Sequence, residues 1–250
     1  MIELNTVTAG YGSHTVLKDV CASFEKGQLT GIVGVNGCGK STLLKAILNM
    51  IPLSGGKVTL DGTGLDKLSR KAIAQKAAYL AQEKNTPDMT VEQMVLHGRF
   101  PYLEYPRHYT SQDRQIVQAA MEQMEITPFS HKPLHTLSGG MRQKAYIAMA
   151  LAQSTDYILL DEPTTFLDIS HQLALMKTLR GLADSGKGVI TVMHDLPMAF
   201  TFSDRILVLH DGQVVCCDTP ETICRQGITE EIFGVSVTHS EGGRGYRYQY

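Results

Sequence analysis

Long apolar runs are missing from this 250-residue chain: the stretch Tyr146 to Ala152, about seven residues, falls far short of the roughly 18 to 20 that a spanning helix needs. The chain is therefore not expected to cross a membrane unaided. It also lacks an excess of charge of either sign, with Lys+Arg 23 against Asp+Glu 25 and a formal net charge of −2. Without a basic field there is little counterion release to hold a phosphate backbone, so nucleic acid is not an expected partner. The opening residues MIELNTVTAG have neither the basic nor the apolar segment of a secretory or cleaved targeting signal, and a cytosolic location is the expectation. The cysteines number 5, show no CxxC spacing and include the adjacent Cys216 and Cys217, whose side chains would point to opposite faces of a strand. Reduced thiols are expected rather than a disulfide framework. Nor is there a repeat with a period of about 20 to 50 residues, or a low-complexity tract.

What is present is 43% hydrophobic against 19% charged residues, enough over this length for a substantial core. Gln28 to Gly34 predicts a buried strand, and Gly39 to Asn49 a helix with Leu43, Leu44, Ile47 and Leu48 turned inward. Short apolar runs recur at Ala77–Ala81, Tyr157–Leu160, Val189–Met193 and Ile206–Leu209, several separated by helical patterns such as Leu173, Met176, Leu179 and Leu182. Near-continuous apolar strands of this kind imply an α/β fold with a mostly parallel sheet covered on both faces. Between about Glu83 and Thr136 the strand signal stops and helical spacing takes over, at Val91, Met94 and Val95 and again from Ile116 to Met124. This predicts an inserted helical subdomain, broken by Pro101 and Pro106, with Ser111 as an N-cap ahead of Asp113.

The residues from Gly34 to Thr42, GVNGCGKST, fit GxxxxGK[ST] between a predicted strand and a predicted helix. Glycines there let the backbone wrap a phosphate chain, whose charge meets loop N–H groups and the helix N-terminus. Lys40 is expected to reach the β- and γ-phosphates and Ser41 to offer its hydroxyl to Mg²⁺. Cys38 is either a thiol with thiolate character, drawn from the helix N-terminus and Lys40, or a small residue that fits the turn. Tyr157 to Glu162, YILLDE, places two acids at the end of a buried strand, at the edge where α/β sheets bind ligands. Asp161 is the candidate for holding Mg²⁺ and Glu162 for accepting a proton from the attacking water; the structural alternative is an acidic turn before Pro163. A second glycine-exposed, serine-capped helix start, at Ser138, Gly139 and Gly140, has no triphosphate of its own to hold if the first loop holds one. It is expected to serve a nucleotide on another copy, the bland alternative being a flexible turn.

In this order the motifs resemble those of the ATP-binding cassette (ABC) ATPases, in particular the nucleotide-binding subunits of ABC transporters. GVNGCGKST resembles the Walker A motif, LSGGMRQK the signature, YILLDEP the Walker B motif, and Thr165, Phe166, Leu167 and Asp168 the D-loop. Met141 stands where the commonest signature has Gln. The resemblance spans roughly Ile2 to Val235 and gives roles to residues that mean little singly. It implies Tyr11 as the ring stacked on adenine, Gln82 as the Q-loop glutamine beside Mg²⁺ and the permease, His194 as the switch histidine on the γ-phosphate, and Asp168 as a contact across a dimer. It implies an ABC ATPase fold: a P-loop α/β core, an N-terminal antiparallel β region, a helical subdomain at about 83–154, and a short tail at 236–250. ATP would lie on Tyr11, Gly34, Asn36, Gly37, Cys38, Gly39, Lys40, Ser41 and Thr42, with Ser138, Gly139 and Gly140 added from a second copy. Lys40, Gln82, Glu162 and His194 would be catalytic, and Ser41, Gln82 and Asp161 would surround Mg²⁺. The implied partners are a second copy and transmembrane permease subunits on the cytoplasmic side of the membrane, with a substrate-binding protein served indirectly.

HGRFPYL, MRQKAYIAMALAQ and DEPTTFLDISHQ further resemble the ATPases of importers for ferric siderophores, haem and cobalamin, a family in which the substrate does not touch this subunit. The alternative is a soluble ABC ATPase that powers assembly or remodelling without a permease. A single cassette, no coiled-coil insertion and no basic stretch weigh against it.

Overall fold

The computed structural model describes residues 1–82, 86–165, 167–240 and 245–249. It opens with two long strands, β1 (Ile2–Tyr11) and β2 (His14–Phe24), whose apolar residues alternate with polar ones as a one-sided antiparallel sheet requires. Ile2, Leu4, Val7, Leu17, Val20 and Phe24 are buried in consequence. After β3 (Leu29–Val33) and α1 (Lys40–Ile47) the chain returns as β4 (Leu53–Leu60) and β5 (Thr63–Gly64). Together these make a four-stranded sheet of order β2-β1-β4-β5, the expected N-terminal antiparallel region.

The remaining helices and strands alternate around a second sheet. In chain order they are α2 (Arg70–Lys76), β6 (Ala77–Leu80), α3 (Val91–Leu96), α4 (Ser111–Gln123), α5 (Gly139–Ala152) and β7 (Tyr157–Asp161). Then come α6 (Ile169–Asp184), β8 (Gly188–Val192), α7 (Leu196–Phe202), β9 (Arg205–His210) and β10 (Gln213–Asp218). The chain closes with α8 (Pro220–Arg225), α9 (Ile228–Phe233), β11 (Ser236–His239) and β12 (Tyr246–Gln249). The second sheet runs β10-β9-β3-β8-β7-β6 and is parallel except where β10 pairs with β9.

Period-two alternation sends its apolar residues to both faces, as predicted for a covered sheet. Ile158, Leu160, Ile206 and Val208 join one core with α3, α4, α5 and α6, while Leu159, Ile190, Leu207 and Leu209 join the other with α1 and the antiparallel sheet. Cys216 and Cys217 divide between the two cores in the same way. Asp61, between β4 and β5, ties the two sheets by accepting from Lys76 Nζ and the Tyr157 hydroxyl, each at 2.9 Å.

Two details differ from expectation. Thr110, not Ser111, caps α4: its hydroxyl accepts from the Asp113 N–H at 3.1 Å and the Asp113 carboxylate accepts from the Thr110 N–H at 2.9 Å. That is a reciprocal capping box one residue earlier, which a Ser at the first helical position cannot form with Asp113. Within the expected tail at 236–250, β11 pairs antiparallel with β12, and Val237 is buried in the larger core.

Candidate active site

Two buried strands end at the same edge of the central sheet, and each delivers its chemistry there. After β3 the backbone turns so tightly that a Cβ on Gly34 would meet the Leu209 carbonyl oxygen and Cys38 Sγ, so only glycine fits. Gly39, at φ 107, is the N-cap of α1 and has no side chain to bond the first-turn N–H groups. Lys40 is buried, and its Nζ donates to the carbonyls of Gly34 at 2.8 Å and Val35 at 3.0 Å, which fixes the ammonium inside the loop. Asn36, Gly37, Gly39, Lys40, Ser41 and Thr42 line a cleft of about 570 Å³, and Gln82, Glu162 and His194 complete its wall.

Three segments far apart in sequence meet on one carboxylate. Glu162 Oε2 accepts from Gln82 Nε2 at 2.6 Å and from the Thr165 hydroxyl at 3.3 Å, while His194 Nε2 lies 2.5 Å from Oε1. Glu162 adopts φ 50 just past β7, a left-handed conformation that costs a non-glycine residue energy and is held by these partners. Asp161, one residue earlier, is buried and accepts from the Tyr79 hydroxyl at 3.3 Å. Burial pushes its carboxyl above the ordinary range and the Glu162 charge adds to this, against the Ser41 and Tyr79 hydroxyls. Its Oδ1 is buried without a hydrogen-bond partner. An orphaned carboxylate oxygen beside the Ser41 hydroxyl fits a hard divalent cation such as Mg²⁺, which is held by one or two carboxylates together with substrate phosphates.

Other expected residues lie elsewhere. Tyr11 is half exposed and does not line the cleft; Lys45 Nζ lies 5.9 Å from its ring centre. Ser138 caps α5, accepting from the Met141 N–H at 3.4 Å, and with Gly139 and Gly140 it is outside the cleft of its own chain. Asp168 caps α6 through the His171 N–H at 2.9 Å, and hydrogen bonds from His171 and Ser170 hold its carboxyl well below the usual range. Phe166, expected in the D-loop, falls outside the described residues. Cys38 takes the second of its two expected readings: it is 4% exposed, and burial pushes its thiol up despite Lys40. Tyr79 and Thr165 touch the two acids without having been singled out for it: Thr165 stood only as the first D-loop residue, and Tyr79 carries no motif and emerges only once β6 is known to lie beside β7 in register.

A phosphate-cradling loop after one strand and paired acids at the end of another define a P-loop nucleoside-triphosphatase. The profile of the ABC transporter family matches residues 17–165, and the chain belongs to that family as an ATP-hydrolysing subunit. It is 38% identical over 231 residues to the ferric enterobactin transport ATP-binding protein FepC of Escherichia coli (strain K12), covering 92% of this chain and 85% of that one. It is 36% identical over 234 residues to the petrobactin import ATP-binding protein FpuD of Bacillus anthracis, covering 93% and 86%. Among solved structures, a dimeric post-hydrolysis ATP-binding cassette bound to ADP and Pi superposes with a TM-score of 0.77 at 29% identity, covering 88% of this chain and 99% of that one.

Proposed function

We propose that the chain is the ATPase of an importer for a ferric siderophore or a related metal chelate, working as a dimer on the cytoplasmic face of a separate permease. The observation that carries the hydrolytic part is the meeting of Gln82, His194 and Thr165 on the Glu162 carboxylate across the cleft from Lys40. The loop N–H groups and Lys40 bind the phosphate chain, and Gln82 and His194 orient Glu162, which accepts the proton of the attacking water. Asp161 and Ser41 would hold Mg²⁺, which would supply neutralisation of phosphate charge. Siderophore as cargo is supported by the relatives named for ferric enterobactin and petrobactin. A permease partner is supported by an apolar groove among Met50, Ile73, Tyr79, Phe100, Pro101 and Met149, where Met50 and Phe100 are 57% and 48% exposed. Residues 1–235 would form one ATPase domain with 83–154 as its helical subdomain, whose movement couples hydrolysis to the permease.

Glu162→Gln is expected to keep ATP binding and lose turnover by about 10²- to 10⁴-fold, whereas Lys40→Ala is expected to lose ATP affinity. Normal hydrolysis in Glu162→Gln would remove it as the base. Cells carrying Glu162→Gln should also fail to take up labelled ferric siderophore. Loss of haem or cobalamin uptake instead would reassign the cargo, and purification with no membrane subunit would favour the soluble alternative.

A further inference from the structure

The turn that carries His194 is held from the far end of the chain. α7 starts directly after it, and its first-turn donors can be accounted for one by one. Asp195 caps the helix by accepting from the Met198 N–H at 2.7 Å, and Pro197 has no N–H. The remaining donor, on Leu196, belongs to a residue only 4% exposed and donates to the Tyr248 hydroxyl oxygen at 3.3 Å. Tyr248 lies in β12, which is itself fastened to α7: the Tyr246 N–H donates to Thr201 Oγ1 at 3.0 Å, and the Tyr246 ring meets Phe200 edge-on at 5.6 Å.

We propose that Tyr248 is a positioning residue for ATP hydrolysis, completing the N-terminus of α7 and thereby aiming His194 at Glu162. The β11–β12 pair thus acts on the cleft without lining it. Removing the hydroxyl takes the acceptor from a part-buried N–H two residues from an imidazole whose reach to Glu162 is 2.5 Å. The turn then repacks and the orientation is lost. This rests on the roles given to Glu162 and His194 above.

The test is steady-state ATP hydrolysis by the full chain. Tyr248→Phe is expected to lower kcat about three- to tenfold with KM for ATP kept within about twofold, the split that marks lost orientation rather than lost binding. Thr201→Val, which removes the Tyr246 N–H acceptor and leaves the Tyr248 hydroxyl and the Tyr246–Phe200 contact in place, should lower the melting temperature with kcat per folded molecule retained. A wild-type kcat in Tyr248→Phe, or the same kcat loss in Thr201→Val, would overturn the proposal. Glu162→Gln, assayed alongside, separates the two failures: if it hydrolyses normally the site roles fall, and if it is inactive while Tyr248→Phe is normal only Tyr248 falls. Should Tyr248→Phe fold poorly, hydrogen exchange of the wild-type Leu196 amide decides. Protection like that of the α7 interior supports the bond, and free exchange overturns it.

Discussion

Cys38 shows how a residue's surroundings overrule its position. A helix N-terminus and a neighbouring lysine favour a thiolate, but desolvation favours the neutral thiol, and at 4% exposure desolvation wins. A maleimide at neutral pH should therefore label the exposed Cys21 first and leave turnover largely intact. Mass mapping after one equivalent checks this, and rapid inactivation that Cys38→Ser abolishes would contradict it. The loop residues were legible in the sequence because each does a local job: Gly34 and Gly39 make backbone room and Lys40 binds back onto its own loop. Burial of Cys38 was not legible, since Sγ sits against the Gly34 turn, which the Leu209 carbonyl of β9 also crowds. Tyr79 was hidden for the same reason: it shares a face with Leu159 and Asp161 only through β6–β7 register.

At the scale of elements, the segment between α3 and α4 is stitched to α4 by a buried ion pair and to the end of α5 by a hydrogen bond from the same arginine. Arg99 Nε donates to Asp113 Oδ1 at 2.8 Å and its guanidinium reaches the Ala152 carbonyl at 2.9 Å. The same Asp113 carboxylate completes the capping box of α4, so Arg99 and Asp113 together join α4, the segment before it and the end of α5. Burial alone would raise its pKa, but the hydrogen bonds of Arg99 and Thr110 outweigh it and hold the carboxyl below the ordinary range. A depressed folded-state value gives stability that is full above the unfolded carboxylate value of about 3.9 and is lost as pH falls below it. Asp113→Ala leaves Arg99 buried and unpaired, which typically costs about 3–5 kcal/mol. Urea unfolding at pH 7 should show that loss, and the gap to wild type should narrow at pH 3; a change under about 1 kcal/mol at pH 7 would mean the pair is not holding the subdomain. Helical spacing from Ile116 to Met124 announced α4, but its start was misplaced by one residue because Thr110 and Ser111 are equally good caps by type. Only the reach of Asp113 back to Thr110 decides between them.

At the scale of the whole molecule, the cleft and the Ser138–Gly140 turn are separate features of one chain. That turn is held in place by its own chain: Gly140 lies against the His171 ring, and Gln143 Nε2 on the same helix donates to the Pro163 carbonyl at 2.8 Å, just past Glu162. The signature helix is thus mechanically joined to the acid end of β7 while its exposed serine and glycine face outward. Both turns announced themselves in the sequence as glycine-flanked helix starts; how far apart they lie in one chain is set by the packing of α5 on α3 and α4, with Gly140 against His171 of α6. If each nucleotide is sandwiched between Lys40 of one copy and Ser138 of another, complementation follows. Ser138→Arg chains and Lys40→Ala chains, each unable to form a working pair alone, should form heterodimers with one intact composite site and one doubly broken site. Mixed equally, they should recover up to roughly a quarter of wild-type turnover, since half of randomly formed dimers are mixed and each has one of two sites. ATP-dependent dimerisation should return in parallel, read by size-exclusion chromatography with light scattering. No recovery at any ratio, with heterodimers shown to form, would mean that each chain completes its own site and that the outward-facing turn has another purpose.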